Sequence, residues 1–253
     1  MQDRLSGKRI IVIGSASGIG AATVERLAAE GARVCAADIN LEGAEAAARA
    51  AGGDSFAVHV DIADEASVNN AVAAALERLG GLDGAHVNAA DLRVIFQDSD
   101  ALTVDLAVFD RTIAVNLRGH LLCTRAVLPP LLASGSGAIV YTGSGASDGG
   151  EAERPCYAMS KSGLNALMRH VASRWGREGI TANVVAPGFT MTAELEASGQ
   201  VPQALIDGFL ARGRSTRLGK SQDHAALAAL LLSEDGRWIN GQVLHVNGGS
   251  LLR

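Results

Sequence analysis

The chain has 253 residues, of which 48% are hydrophobic, 19% charged and only 4% aromatic, and its net charge is −5. That composition supplies a sizeable core of Ala, Val, Leu and Ile and excludes a disordered chain. The acidic balance, with Lys and Arg scattered rather than clustered, argues against a nucleic-acid partner.

In chain order, the segment from Met1 to Lys8 is polar and lacks the apolar stretch of a signal peptide. Short apolar, β-branched runs follow at Arg9–Ile13, Arg33–Ala37, Ser55–Val60, Gly84–Val87, Ala138–Thr142, Thr181–Ala186 and Gln242–Val246. Ala-rich stretches with helical spacing separate them, as in Val24, Leu27, Ala28 and Gly31, or Val68, Val72, Leu76 and Leu79. Strands separated by helices run parallel, so both sheet faces are covered. The pattern predicts an α/β fold: a Rossmann-type doubly wound sheet of about seven parallel strands in one domain spanning the chain. The stretch from Phe189 to Arg214 contains no strand and follows Pro187-Gly188; it reads as a flap over a pocket. The longest apolar run, Ala225 to Leu232, is far too short for a membrane span, so a cytoplasmic protein without a membrane partner is expected. Cys35, Cys123 and Cys156 form no CxxC, which fits reduced thiols, and no His, Asp or Glu cluster has metal-ligand spacing.

The first strand runs into Gly14-Ser15-Ala16-Ser17-Gly18-Ile19-Gly20, where a helix starts. Glycines there let the backbone approach a pyrophosphate, which the helix N-terminus holds through free N–H groups and its dipole. The second strand leads to Asp38. Its carboxylate accepts hydrogen bonds from the adenosine ribose hydroxyls and repels a 2′-phosphate, which favours NAD over NADP; the competing reading is a cap on the next helix. Asp61, after the third strand, either reaches the adenine amino group or caps the helix starting near Asp64.

Tyr157 and Lys161 are spaced to fall on one face of a helix. A free tyrosine has a pKa of about 10, so bringing it to neutrality takes about 4 kcal/mol, which a lysine ammonium and a positive nicotinamide together supply. Ser144 lies upstream at the end of the fifth strand, on the sheet edge where ligands bind, and its hydroxyl can hold a substrate oxygen. Asn116 stands in an apolar helical stretch, either bonded to its own backbone or part of a water relay to Lys161. Arg93, Glu151, Glu153 and Arg154 flank the expected substrate entrance, as selectors of a polar substrate or as solvated loop charges.

These features in this order resemble the compact, single-domain branch of the short-chain dehydrogenase/reductases over essentially the whole chain. The resemblance also rests on Val87-Asn88-Ala89, on Pro187-Gly188 leading to Thr192, and on the closing Gly241 and Gly248-Gly249. It implies a catalytic set of Asn116, Ser144, Tyr157 and Lys161. Ser144 would orient the substrate, Tyr157 act as acid or base, Lys161 bind the nicotinamide ribose and depress the Tyr157 pKa, and Asn116 hold a relay water. For NAD it implies contacts from Gly14, Ser17, Gly18, Ile19, Gly20, Asp38, Asp61, Ile62, Asn88, Tyr157, Lys161, Pro187, Gly188, Thr190 and Thr192. It also implies a homotetramer. This chain departs from the family's pattern at Ile13 (usually Thr), at Ala90 (usually Gly), and at Asn240 and Asn247 (usually Thr and Asp).

The expected function is NAD(H)-dependent interconversion of a secondary alcohol and a ketone. Phe189, Met191, Leu195 and Phe209 point to a medium-sized apolar or cyclic substrate. A sugar or polyol dehydrogenase or a 3-oxoacyl reductase would use the same residues, and an NAD-binding regulator without turnover is the rival of another class.

Overall fold

In the computed structural model, which describes residues 3–252, the apolar runs pair as one sheet of seven strands. The strands are β1 (Arg9–Ile13), β2 (Arg33–Asp38), β3 (Phe56–His59), β4 (Gly84–Val87), β5 (Ala138–Thr142), β6 (Thr181–Pro187) and β7 (Val243–Val246). All pairings are parallel, in the order β3-β2-β1-β4-β5-β6-β7. The order reverses between β1 and β4, and the strand C-terminal ends there form the crevice where an open α/β sheet takes its ligand. The strand bounds match the sequence reading to within a residue, with Asp38 and Pro187 drawn into their strands. Met1, Gln2 and Arg253 lie outside the described residues.

Helices α1 (Gly18–Ala29), α2 (Leu41–Ala51) and α3 (Glu65–Leu79) link the first four strands. Helices α4 (Leu106–Ile113), α5 (His120–Ser134), α6 (Pro155–Trp175), α7 (Ala193–Ser198), α8 (Gln203–Arg212) and α9 (Ser221–Leu232) complete the layers. Alternation along each strand divides the core. Ile11, Ile13, Val87 and Tyr141 face α3, α5 and α6, while Ile10, Val12, Val34 and Val140 face α1, α2 and α9. Between α4 and α5 the helix widens into a π-turn, Ala114–Gly119. No helix among the described residues is long and apolar enough to cross a membrane.

Candidate active site

At the sheet's C-terminal edge, β1 delivers the chain into the glycine turn. Gly14 has φ +89°, and a Cβ there would strike the backbone of Ala89, so the turn closes only with glycine. Ser17 precedes α1 in extended conformation, and its side chain makes no cap bond. The N-terminus of α1 therefore lacks a local cap, as an anion site requires. Asp38 stands beside it: its Oδ2 accepts from the Ala16 N–H at 2.9 Å and its Oδ1 from the Asn40 N–H at 2.9 Å. The cap on α2 is Asn40, whose side chain accepts from the Gly43 N–H, so Asp38 braces the glycine turn instead. Each of its oxygens keeps a lone pair for a ribose hydroxyl. An uncapped helix start beside a fixed carboxylate fits the phosphate and adenosine ribose of a dinucleotide.

At Asp61 the capping alternative falls away. Asp64 caps α3 through the Ala66 N–H, while Asp61 accepts from the Ala63 N–H and so shapes the preceding turn. Ile62 is buried and packs against Gly119 of the π-turn. Asn88 is engaged at both ends of its amide: its Nδ2 donates to the Gly14 carbonyl at 2.7 Å and its Oδ1 accepts from the Thr142 hydroxyl at 2.8 Å. Thr142 also bonds His86 at 2.9 Å, so the ends of β1, β4 and β5 are tied by one polar chain. The departures from the family pattern are absorbed locally. Asn240 accepts from the Ala182 N–H, Asn247 accepts from the Gly249 N–H, and Ala90 is exposed.

The tyrosine helix α6 rises beside β5. Lys161 is 1% exposed, and its Nζ donates to the Thr142 carbonyl at 2.9 Å. It has no acidic partner among the described residues, and burial pushes its pKa down to about 8. Its Nζ stands 5.8 Å from the centre of the Tyr157 ring. Burial raises the Tyr157 phenol above its ordinary value, opposed by a hydrogen bond with Ser144 and by the charge of Arg154. Burial is the largest of these effects, and it acts here without the nicotinamide charge on which the expected depression also depends. Ser144 follows β5 and also accepts from the Ala146 N–H at 3.1 Å.

Asn116 lies in the π-turn, fully buried. Its Oδ1 accepts not from its own helix but from the Asp91 N–H at 2.8 Å, and its Nδ2 has no protein partner. That orphaned donor suits a water. The carboxylate of Asp91 is held by Arg93 and Arg111 at 2.7 Å each. Arg93 thus belongs to the Asn116 anchor, and Arg154 pairs with Glu151 at 2.8 Å. Cys156 is fully buried, and burial together with Asp98 drives its thiol up to about 11, as a wall residue requires.

From the far side, β6 ends at Pro187, and the Gly188 N–H donates to the Val246 carbonyl. Thr190 donates to the Gly188 carbonyl and bonds His224 at 2.8 Å. Thr192 caps α7 and lies against Gly18. The segment beyond carries α7 and α8, and Phe189 stacks on Phe209 with centroids 4.1 Å apart. Glu194 of α7 reaches across to accept from the Gly18 N–H at 3.2 Å.

Sequence reasoning missed Asp91, Asp98 and Glu194. One signal was present for Asp98: α6 opens on Pro155 after an arginine, which has no acceptor for capping, so its cap has to come from elsewhere.

Residues 14–250 match a family profile described as Enoyl-(Acyl carrier protein) reductase. The chain is also 38% identical, over 252 residues, to a probable short-chain type dehydrogenase/reductase of Bradyrhizobium diazoefficiens, covering 98% of this chain and 89% of that one. It belongs to the short-chain dehydrogenase/reductase family. A second relative of this dehydrogenase/reductase is the 2,5-dichloro-2,5-cyclohexadiene-1,4-diol dehydrogenase of Sphingobium indicum, 35% identical over 97% of both chains. Among solved structures, a short-chain dehydrogenase from Burkholderia cenocepacia in complex with NADP superposes with a TM-score of 0.86 at 36% identity, covering 98% of this chain and 99% of that one. The Rossmann-type fold and the oxidoreductase class of this short-chain dehydrogenase/reductase follow from that membership.

Proposed function

We propose that this enzyme interconverts a secondary alcohol and a ketone with NAD(H), on a medium-sized apolar or cyclic substrate. The reading is carried by the meeting of Ser144, Tyr157 and a buried, acid-free Lys161 at the switch-point edge of the sheet. When bound, the nicotinamide supplies the hydride acceptor or donor. Ser144 holds the substrate oxygen, and the Tyr157 phenol gives a proton to that oxygen or takes one from it. A phenol kept protonated by burial suits donation to a ketone. Alcohol oxidation needs the phenolate, which the charge of Arg154 favours and to which a Lys161 ammonium 5.8 Å from the ring centre adds. The Lys161 Nζ has donors left for the ribose hydroxyls, and the Asn116 Nδ2 holds a water behind it.

The preference for NAD rests on Asp38, whose fixed carboxylate repels a 2′-phosphate. The Burkholderia relative was solved in complex with NADP, so the reading of NAD for this chain stands on Asp38 alone and is tested there. The apolar or cyclic substrate rests on the Phe189–Phe209 stack and on the flap around residues 189–214, and the name of the Sphingobium relative points the same way. A homotetramer is carried over from the family, with exposed Leu106 and Leu121 on α4 and α5 as candidate contact residues.

The test is NADH formation with a panel of secondary alcohols, cyclic diols included, by the wild type and by Tyr157→Phe. Turnover lost in the variant is expected. Equal turnover would remove Tyr157 from the reaction, and NAD binding without turnover on any member would favour a regulator.

A further inference from the structure

The helix that carries Tyr157 begins without a cap of its own. Arg154 precedes it at φ 63° and ψ 50°, a left-handed conformation rare for a long side chain, and makes no cap bond. Pro155 has no N–H to satisfy, but the N–H groups of Cys156 and Tyr157 do require acceptors. Both are met by one carboxylate far away in sequence. Asp98 accepts from Cys156 N through Oδ1 at 3.3 Å and from Tyr157 N through Oδ2 at 2.9 Å. The next residue helps, for the Ser99 carbonyl accepts from Arg154 N at 2.9 Å.

Asp98 is 3% exposed and joins no ion pair among the described residues. A buried carboxylate without a cation is costly unless hydrogen bonds and a dipole compensate it. Here the compensation is the N-terminus of α6 itself, together with the buried Cys156 thiol that faces the same carboxylate. The bond therefore holds from both sides: the helix needs the acid, and the acid has no other partner of comparable strength. The same loop, residues 91–104, presents the Asp91 N–H to Asn116 at its other end.

We propose that Asp98 is the positioning residue of Tyr157: by binding that residue's own N–H, it fixes the phenol relative to Ser144. This rests on the reading of Tyr157 as the proton-transferring group. A misplacement of about 1 Å costs on the order of 100-fold in rate, so the predicted defect lies in turnover rather than in cofactor binding.

The experiment compares Asp98→Ala and Asp98→Asn with Asp83→Ala, a control that removes the Arg9–Asp83 pair near the start of β4. For each, kcat and KM are measured with an alcohol turned over by the wild type, along with NAD dissociation constants and melting temperatures. Asp98→Ala is expected to lose kcat by about 100-fold with KM and NAD affinity within about threefold. Asp98→Asn, keeping one acceptor of the right shape, should recover part of it. Asp83→Ala should lower the melting temperature while keeping kcat. The proposal is overturned if Asp98→Ala keeps kcat as well as the control does, or loses it only in step with NAD affinity. Should Asp98→Ala fail to fold, Asp98→Asn decides: reduced kcat with unchanged NAD affinity supports the proposal, and wild-type kcat overturns it. Full turnover by Tyr157→Phe would instead sink the reading beneath it, whatever Asp98 does.

Discussion

Two helices face the crevice with their N-termini, and both begin without a local cap. At α1 the substitute is Glu194, an exposed side chain of α7 making one 3.2 Å bond to the Gly18 N–H. At α6 it is Asp98, buried and bonded to two N–H groups. The first arrangement is exchangeable, since an anion with more oxygens can displace a lone surface carboxylate. The second is sealed, because nothing can replace Asp98 without opening the interior. On the proposed function, the first kind of terminus suits a cofactor that binds and leaves, and the second suits a phenol that must stay in place. The same uncapped motif thus serves opposite ends, and burial decides which.

That contrast can be broken at several points. The largest effect is expected at the sealed end: Tyr157→Phe should lower kcat by about 10²–10⁴-fold, the range of positioned acid–base catalysis, while NAD titration shows unchanged affinity. An equal loss of affinity would erase the distinction between the two ends.

Next is acid stability. Burial lowers the pKa of His86 and His120 to about 3 and of His224 to about 4. Between those values and the ordinary 6.5 the unfolded chain binds more protons than the folded one, so stability falls as pH drops through that window. Each histidine contributes up to about 1.4 kcal/mol per pH unit. Melting curves from pH 7 to 5 should show this slope, and His224→Gln should flatten it. An unchanged slope in that variant would mean that the ring protonates in place.

At the exchangeable end, Asp38→Ala should narrow any preference for NAD over NADP by about tenfold, equivalent to about 1.4 kcal/mol, with kcat little changed. The smallest effect is at Glu194. Glu194→Ala should tighten NAD binding by only about two- to fivefold, as removal of one exposed charge at a helix terminus implies. Weaker binding in that variant would make Glu194 a support of the cofactor rather than its competitor.

What the sequence made legible follows the same division. The strands, the glycine turn, Asp38 and the Tyr157–Lys161 face all rest on local spacing, which periodicity and turn chemistry express directly. Asp98 and Asp91 act across loops without periodicity, on partners set by tertiary packing, so nothing in their neighbourhood marks them. Asn116 was visible as a polar residue in an apolar stretch, but its bond to Asp91 N was not, because the π-turn that orients it has no compositional signature. The burial that raises the Tyr157 phenol was not legible for a related reason. Charges can be counted along a chain, whereas desolvation belongs to the folded state.

The π-turn also bears on how this chain can change its length. A wide turn is one residue longer than the regular turn it replaces. Removing a single residue from 114–119 would let the helical run revert to ordinary winding, which keeps α5 in phase with α4 but abolishes the widened turn itself. Asn116 would leave the Asp91 N–H, and Gly119 would leave Ile62, where a Cβ would come within 2.9 Å of the side chain. Loops elsewhere on the surface can gain or lose residues at little cost; this buried stretch keeps its count because its extra residue is what aims Asn116.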